Sequence, residues 1–207
     1  MMNQGKKQGR TARKIVVFGA RGRVGRAVVA EARARGLEVT EAGRGDGDIT
    51  SAADVGRLAA GHDLAVAAVY DMAADPGEFF PAAARALAAG LPGAGVRRLV
   101  SVGLASVLPT AAGALLMDTP GYPQEWRPFY VGHGAGTEAL RAAAPEALDW
   151  AVLSPSGDFA DGERVGGYAF GPADADERIT HGDFAQAVLD EALAPTVHAA
   201  HLGVRAG

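Results

Sequence analysis

Residues 14–26 read KIVVFGARGRVGR, and the fold class follows from them. A short β-rich run over 14–18 is followed by glycines at 19, 22 and 25, ahead of an amphipathic stretch. A G-x-x-G-x-x-G loop between a strand and a helix turns tightly, lets the backbone approach a pyrophosphate and packs the helix closely. The free N–H groups at the start of that helix attract phosphate. The stretch therefore predicts dinucleotide binding.

Apolar runs and amphipathic stretches alternate along the rest of the chain. The sequence predicts further strands at 37–41, 64–70, 96–102, 148–153 and 198–204, and helices at 23–35, 51–60, 78–91 and 180–194. Strand and helix alternating at this spacing indicate βαβ units. We therefore predict an α/β fold with a doubly wound parallel sheet, a Rossmann-like NAD(P)-binding domain.

We expect residues 1–13 to form a disordered basic tail and residues 14–207 to form a single domain. Two stretches interrupt the alternation: 104–136 is rich in Pro and Gly, and 154–176 is rich in Gly and Asp. Both follow predicted strands, so both should lie at the carboxyl edge of the sheet, where open α/β sheets bind ligands. We predict that they are the substrate loops.

Composition excludes several classes of protein. The 207 residues include no Cys, which excludes a disulfide scaffold, a Cys-ligated zinc site and a cysteine nucleophile. After residue 14 the chain carries 15 basic and 24 acidic groups, which argues against a nucleic-acid-binding surface. No apolar run is long enough to span a membrane. We expect a cytoplasmic protein, monomeric or homodimeric, that acts on a small-molecule substrate without a metal.

The choice between NAD and NADP depends on the residue that follows the second strand. Glu41 would accept a hydrogen bond from the 2′-hydroxyl of NAD, whereas Arg44 would bind the 2′-phosphate of NADP. Arg21 and Arg23 add positive charge nearby. We therefore expect NADP(H) to be preferred, with NAD(H) as the alternative.

Catalytic residues are harder to assign. A Tyr-x-x-x-Lys pair lowers the pKa of a tyrosine for proton exchange with a carbonyl, but no lysine follows Lys14, and Gly134 stands four positions after Tyr130. Ser106, Tyr130 and His133 are the remaining candidates for catalysis. His133 could donate a proton near neutral pH, or be an ordinary surface histidine. Ser106 could bind a substrate carbonyl, or simply cap a turn.

The chain resembles the atypical short-chain dehydrogenases/reductases. More narrowly, it is similar to the NADH-flavin reductase branch, close to biliverdin reductase B-like and NmrA-like NAD(P)-binding proteins. Besides the glycine loop, the matching segments are GVRRLVSVG at 95–103, MDTPGYP at 117–123 and LDWAVLSPSGDFADGERVGGY at 148–168. The resemblance extends from Lys14 to about Val204.

The resemblance implies roles for particular residues. The pyrophosphate loop would include Gly19, Arg21, Gly22, Arg23 and Val24. Around the adenosine, Arg44 would lie near the ribose, and Asp48 and Ile49 would lie beside the adenine. The remaining residues would contact the rest of the cofactor: Ala68, Val69 and Tyr70 would lie under it, Ser101, Val102 and Gly103 would face the nicotinamide, and Ser154 and Pro155 would close over the nicotinamide. Two departures stand out. The segment after Arg44 is too short for the family's usual third strand, and Leu104 interrupts the family's glycine-rich turn before Ser106.

The implied activity is that of an NADPH-dependent oxidoreductase that passes a hydride to a flavin, a quinone or an enone/carbonyl-type small molecule. Two alternatives stay open. One is a non-catalytic NADP(H)-binding redox sensor of the NmrA-like kind, and the other is an epimerase or dehydratase that retains its cofactor.

Overall fold

A computed structural model describes residues 13–207, so the first twelve residues of the predicted tail lie outside the described part. Seven strands form one sheet in the order β2-β1-β3-β4-β5-β9-β7, and β6 and β8 form a second, two-stranded sheet. The strands are β1 (Lys14–Phe18), β2 (Glu38–Ala42), β3 (Leu64–Ala67), β4 (Arg98–Val102), β5 (Asp149–Pro155), β6 (Asp158–Ala160), β7 (Tyr168–Gly171), β8 (Arg178–Thr180) and β9 (Ala200–Ala206). The helices are α1 (Arg23–Ala34), α2 (Ala52–Ala59), α3 (Pro76–Gly93), α4 (Arg127–Ala143) and α5 (His181–Leu193).

The sheet is parallel except for β7, which runs antiparallel to β9. β1 lies between β2 and β3, so the chain reverses its direction of travel across the sheet at β1. A crevice opens at the carboxyl ends of the strands at such a switch point. Among the described residues β2 is an edge strand and α2 follows it directly, as expected from the short segment after Arg44. The predicted doubly wound α/β fold is confirmed.

Two apolar layers cover the sheet. Val17 and Val66 pack with α1 and α5 on one face. Val16 and Ala65 pack with α2, α3 and α4 on the other face. Successive strand residues point to opposite faces, so a strand covered on both sides is apolar throughout, as the predicted continuous runs are.

Side-chain caps begin two of the predicted helices. Ser51 Oγ accepts the Asp54 N–H at 3.3 Å and begins α2. Thr180 Oγ1 accepts the Asp183 N–H at 3.1 Å and begins α5. Each cap satisfies an amide that has no partner within its helix. Both helix starts therefore lie where the sequence predicts them.

The structure differs from the sequence prediction over 104–136, because α4 begins at Arg127. The glycines that suggest a loop instead let α4 approach α3 closely. A Cβ on Gly132 would lie 2.6 Å from the carbonyl oxygen of Pro76, and one on Gly136 would lie 2.8 Å from the Cβ of Phe80. Close packing thus outweighs the low helix propensity of glycine. The second predicted loop, 154–176, also contains short strands.

No helix within residues 13–207 is both long and apolar enough to cross a bilayer. The cytoplasmic location stays a prediction.

Candidate functional site

The glycine loop is packed so tightly that side chains would not fit. Gly19 has a φ of +75°, and a Cβ there would lie 2.1 Å from the carbonyl oxygen of Ala68. A Cβ on Gly25 would lie 2.1 Å from the carbonyl oxygen of Gly19. The loop therefore lies directly against the end of β3, and α1 lies directly against the loop.

The first turn of α1 presents backbone N–H groups at this loop. Gly22 precedes the helix in an extended conformation, and no side chain from the described part of the chain caps this end. Arg23 and Val24 are the first two helical residues. Uncapped amides at the positive end of a helix dipole bind anions, so this turn fits a pyrophosphate.

A cavity of about 660 Å³ opens between the ends of β1, β2 and β3. Its volume is in the range of small-molecule and cofactor sites. Nine residues predicted to bind the cofactor line it: Gly19, Arg21, Gly22, Arg44, Asp48, Ile49, Ala68, Val69 and Tyr70. Phe18, Leu58, Asp71 and Phe79 also line it and were not predicted. The sequence segments on either side of the switch point thus meet in one crevice.

Two arginines lie at the β2 side of this cavity. Arg44 Nη2 is 3.1 Å from Asp71 Oδ1, and it also donates to the Tyr70 carbonyl at 3.1 Å. Arg21 packs over Gly43, with its Nη2 3.7 Å from Asp46. The Arg44 and Arg21 side chains are 71% and 72% exposed, so both guanidinium groups are accessible to an anion from solution.

Glu41, the residue that would select NAD, forms an ion pair with Arg33 of α1. Arg33 Nη2 in α1 donates to Glu41 Oε1 at 2.7 Å. Glu41 does not line the cavity, whereas Arg44 does. The arginine is thus the better placed of the two predicted alternatives for a ribose 2′ substituent.

The end of the cavity near Asp48 combines a hydrogen-bonded turn with apolar side chains. Asp48 Oδ1 accepts both the N–H and the Oγ1 hydrogen of Thr50, each at 2.8 Å. Asp54 Oδ2 accepts the Asp48 N–H, and this bond lowers the pKa of Asp54. Ile49 and Leu58 supply the apolar wall.

The predicted nicotinamide residues lie further along the same edge. Ser101, Val102 and Gly103 border a separate cavity of only about 40 Å³, beside His133. Pro155 is buried in β5, opposite Val204. Ser154 is fully buried, as part of a contact that the sequence does not reveal.

That contact is a hydrogen bond of 2.7 Å between Ser154 Oγ and His201 Nε2. In the sequence, His198 and His201 are three residues apart within the strand predicted at 198–204, which places them on opposite faces of that strand. In the structure His198 precedes β9, and its Nδ1 lies 3.0 Å from Asp149 Oδ2. No local sequence signal links Ser154 with His201, because their contact depends on the pairing of β5 with β9.

The three candidate catalytic residues differ in their surroundings. Ser106 is 1% exposed, and its Oγ has no hydrogen-bond partner among residues 13–207. Tyr130 lies edge-on to Tyr122, with 5.4 Å between the ring centroids. His133 packs against Phe80, with 3.7 Å between the centroids. Ser106 follows β4, and His133 borders the small cavity that Ser101, Val102 and Gly103 line. The three side chains do not hydrogen-bond to one another.

The structure corrects the prediction for His133. This residue lies in α4 rather than in a loop. Burial, with a smaller contribution from His201, lowers the pKa of His133 to about 3. The imidazole is therefore neutral at pH 7, which disfavours His133 as a proton donor near neutral pH, and its catalytic role stays a prediction.

Both tyrosines keep their hydroxyl protons at neutral pH. Burial raises the pKa of Tyr122, and Tyr130 and Asp158 raise it further. Burial and Glu125 raise the pKa of Tyr130. Each hydroxyl can donate a hydrogen bond to a ligand oxygen, although neither is activated for proton transfer.

Comparison with known proteins agrees with this geometry. Residues 19–195 match the model of a family described as NAD(P)H-binding. The chain is 34% identical over 197 residues to the uncharacterized protein YwnB of Bacillus subtilis (strain 168), covering 86% of this chain and 91% of YwnB. A candidate epimerase from Bacteroides thetaiotaomicron matches with a TM-score of 0.80 at 26% identity, covering 95% of this chain and 98% of that one.

A candidate NADH-flavin reductase from Streptococcus pneumoniae TIGR4 has the same fold, with a TM-score of 0.79 at 23% identity. That match covers 95% of this chain and all of the other, 100%. The family match spans the glycine loop, β2, β3 and the cavity-lining residues other than Phe18. The chain therefore belongs to the NAD(P)H-binding family of Rossmann-like proteins.

Proposed function

We propose that this protein is an NADPH-dependent oxidoreductase that passes a hydride to a flavin, a quinone or an enone/carbonyl-type small molecule. The observation that carries the preference for NADPH is the arrangement at the end of β2. Arg44 lines the cavity, whereas Glu41 is bound to Arg33. A guanidinium group binds a phosphate through parallel, charge-assisted hydrogen bonds. Arg21 adds a second positive charge to the same side.

Similar proteins support a redox role. The S. pneumoniae protein of the same fold is named as a candidate flavin reductase, and the B. thetaiotaomicron protein as a candidate epimerase. We favour reduction because no lysine follows Lys14, so the Tyr-x-x-x-Lys pair is missing. A flavin or quinone acceptor needs little acid catalysis from the protein.

In this proposal the bound nicotinamide supplies the hydride, and the protein binds and orients both reactants. The uncapped amides in the first turn of α1 hold the pyrophosphate, and Arg44 with Arg21 holds the 2′-phosphate. The hydroxyls of Tyr122 and Tyr130 donate hydrogen bonds to a carbonyl or quinone oxygen of the substrate. The raised pKa values make both tyrosines weaker acids, which favours solvent as the source of the proton.

The test begins with fluorescence titrations of the protein with NADPH and with NADH. FMN or a simple quinone is then added while the absorbance band of the reduced nicotinamide is followed. We expect tighter binding of NADPH, and oxidation once an acceptor is present. Tight binding without oxidation by flavins, quinones or enones would instead support the redox sensor. If neither nucleotide bound, the assignment of the glycine loop would be wrong.

A further inference from the structure

Ser154, which is buried, and His201, which is partly buried, form a hydrogen-bonded pair next to the end of β4. The hydrogen bond between Ser154 Oγ and His201 Nε2 is 2.7 Å long, and Ser154 is fully buried. Burial, with a smaller contribution from Arg141, lowers the pKa of His201 to about 4, so its ring is neutral at pH 7. A neutral imidazole has one donor and one acceptor nitrogen, which allows this bond without leaving a buried charge.

The pair lies directly against Gly103. A Cβ on Gly103 would be 2.7 Å from Ser154 Oγ and 3.0 Å from His201 Nε2, so the two polar atoms occupy the space of that side chain. The Gly103 N–H also donates to the Leu153 carbonyl at 2.8 Å. Residues of β5 and β9 therefore together fix the position of the backbone at the end of β4.

We infer that the Ser154–His201 pair positions Gly103, and through it the nicotinamide half of the dinucleotide, while leaving the adenosine half unaffected. His201 is thus a positioning residue. The inference rests on the proposed function, because it assumes that a nicotinamide lies at this edge. We expect the adenosine half to be unaffected because neither Ser154 nor His201 lines the 660 Å³ cavity.

Substitution of His201 should be tolerated by the fold. The residue also borders an open groove of about 470 Å³ between α4 and the segment that contains Val107 and Met117. A shorter side chain at this position leaves space that is continuous with that groove rather than a closed void. His201→Leu removes the hydrogen bond, and His201→Gln provides both an amide donor and an amide acceptor in its place.

The experiment compares two ligands. NADPH occupies both halves of the site, and adenosine 2′,5′-bisphosphate occupies only the adenosine half. For His201→Leu we expect the Kd for NADPH to rise about tenfold, as for loss of one buried hydrogen bond, with the Kd for the bisphosphate unchanged. With FMN as acceptor, kcat should fall in the same variant. His201→Gln should recover most of both losses.

Several results would overturn the inference. One is an unchanged NADPH affinity in His201→Leu, and another is an equal loss for both ligands, which would indicate general loosening of the fold. If His201→Leu did not fold, Ser154→Ala carries the same expectation with a smaller change of volume. A wild-type protein that bound NADPH without oxidising it would refute the reductase proposal, yet the ratio of the two affinities would still decide this inference. A wild-type protein that bound neither ligand would refute both.

Discussion

Arg44 and Asp71 form an ion pair across the mouth of the cofactor cavity, with 3.1 Å between Nη2 and Oδ1. The pair connects the loop after β2 to the loop after β3, the two strands on either side of β1. The Arg44 side chain is 71% exposed, so this ion pair contributes little to the free energy of unfolding. Its guanidinium is therefore free to exchange a carboxylate partner for a phosphate.

Arg44→Ala should weaken NADPH binding about 10- to 100-fold, because charge-assisted hydrogen bonds to the 2′-phosphate are lost. NADH binding should change much less, since NADH lacks that phosphate. Titration by nicotinamide fluorescence measures both constants. Arg85→Ala, which changes an exposed arginine of α3 outside the cavity lining, is the matched control. Equal losses for the two nucleotides would show that Arg44 does not bind the 2′-phosphate.

Asp71→Asn should have the opposite effect on NADPH. The carboxylate of Asp71 competes for Arg44 and repels a nearby phosphate, so its neutralisation should tighten NADPH binding by about two- to fivefold. NADH should respond less. The same titrations, repeated at low and high salt, would show the gain shrinking as the charges are screened. Weaker NADPH binding in this variant would mean that Asp71 itself contacts the cofactor.

A comparison of Gly19→Ala with Gly36→Ala separates the cost of a left-handed backbone conformation from the cost of a steric clash. The φ values are nearly equal, +75° and +77°, but a Cβ at Gly19 meets the Ala68 carbonyl oxygen at 2.1 Å whereas one at Gly36 meets nothing within 4 Å. Gly36→Ala should lower the free energy of unfolding by about 1–2 kcal/mol, the cost of a left-handed residue with a side chain. Urea unfolding should show a clearly larger loss for Gly19→Ala. Similar losses would contradict the close packing of the loop on β3.

Stability should fall as the pH drops below the ordinary histidine range. The folded pKa values of His133 and His201, about 3 and about 4, lie below the unfolded value of 6.5. The unfolded state therefore binds more protons between these values, so stability is fully present above pH 6.5 and is lost as the pH falls. The loss is at most about 1.4 kcal/mol per pH unit for each histidine.

Thermal unfolding between pH 6.5 and 5 measures this slope. Asp54 and Asp183 do not contribute to it, because their pKa values are lowered from 3.8 and their effects appear only below that value. His133→Gln and His201→Gln should each flatten the slope, whatever they do to the stability at pH 7. An unchanged slope in both variants would mean that the two rings are not buried as described.

Asp183 anchors the segment that follows β6. Its Oδ2 accepts the Val165 N–H at 3.0 Å, and its Oδ1 accepts the Gly166 N–H at 3.1 Å. Asp183→Asn places an amide N–H₂ against one of these donors, so we expect a loss of about 1–3 kcal/mol and faster hydrogen exchange at both amides. Asp176→Asn, at an exposed position of the preceding loop, is the control. Unchanged exchange would show that the segment is held by other contacts.

Much of the fold could be predicted from the sequence because its signals are local. Alternation of apolar runs predicts the central strands, and the spacing of Ser51 and Thr180 from their capped amides predicts two helix starts. The prediction was wrong over α4, because Gly132 and Gly136 suggest a loop when they are considered without α3. Helix–helix contact is a property of two segments, and one segment does not reveal it.

The candidate site likewise combines features that neighbouring residues determine with features that depend on tertiary contacts. The sequence by itself determined the doubly wound sheet and the glycine loop, since a strand, a tight turn and a helix start are specified by neighbouring residues. Only the tertiary structure decided that Glu41 is bound by Arg33, that His133 is neutral and that Ser154 meets His201. Each of these depends on strand register or on burial between layers. Such contacts join residues that are distant in sequence, and desolvation acts on a pKa only after the layers have packed.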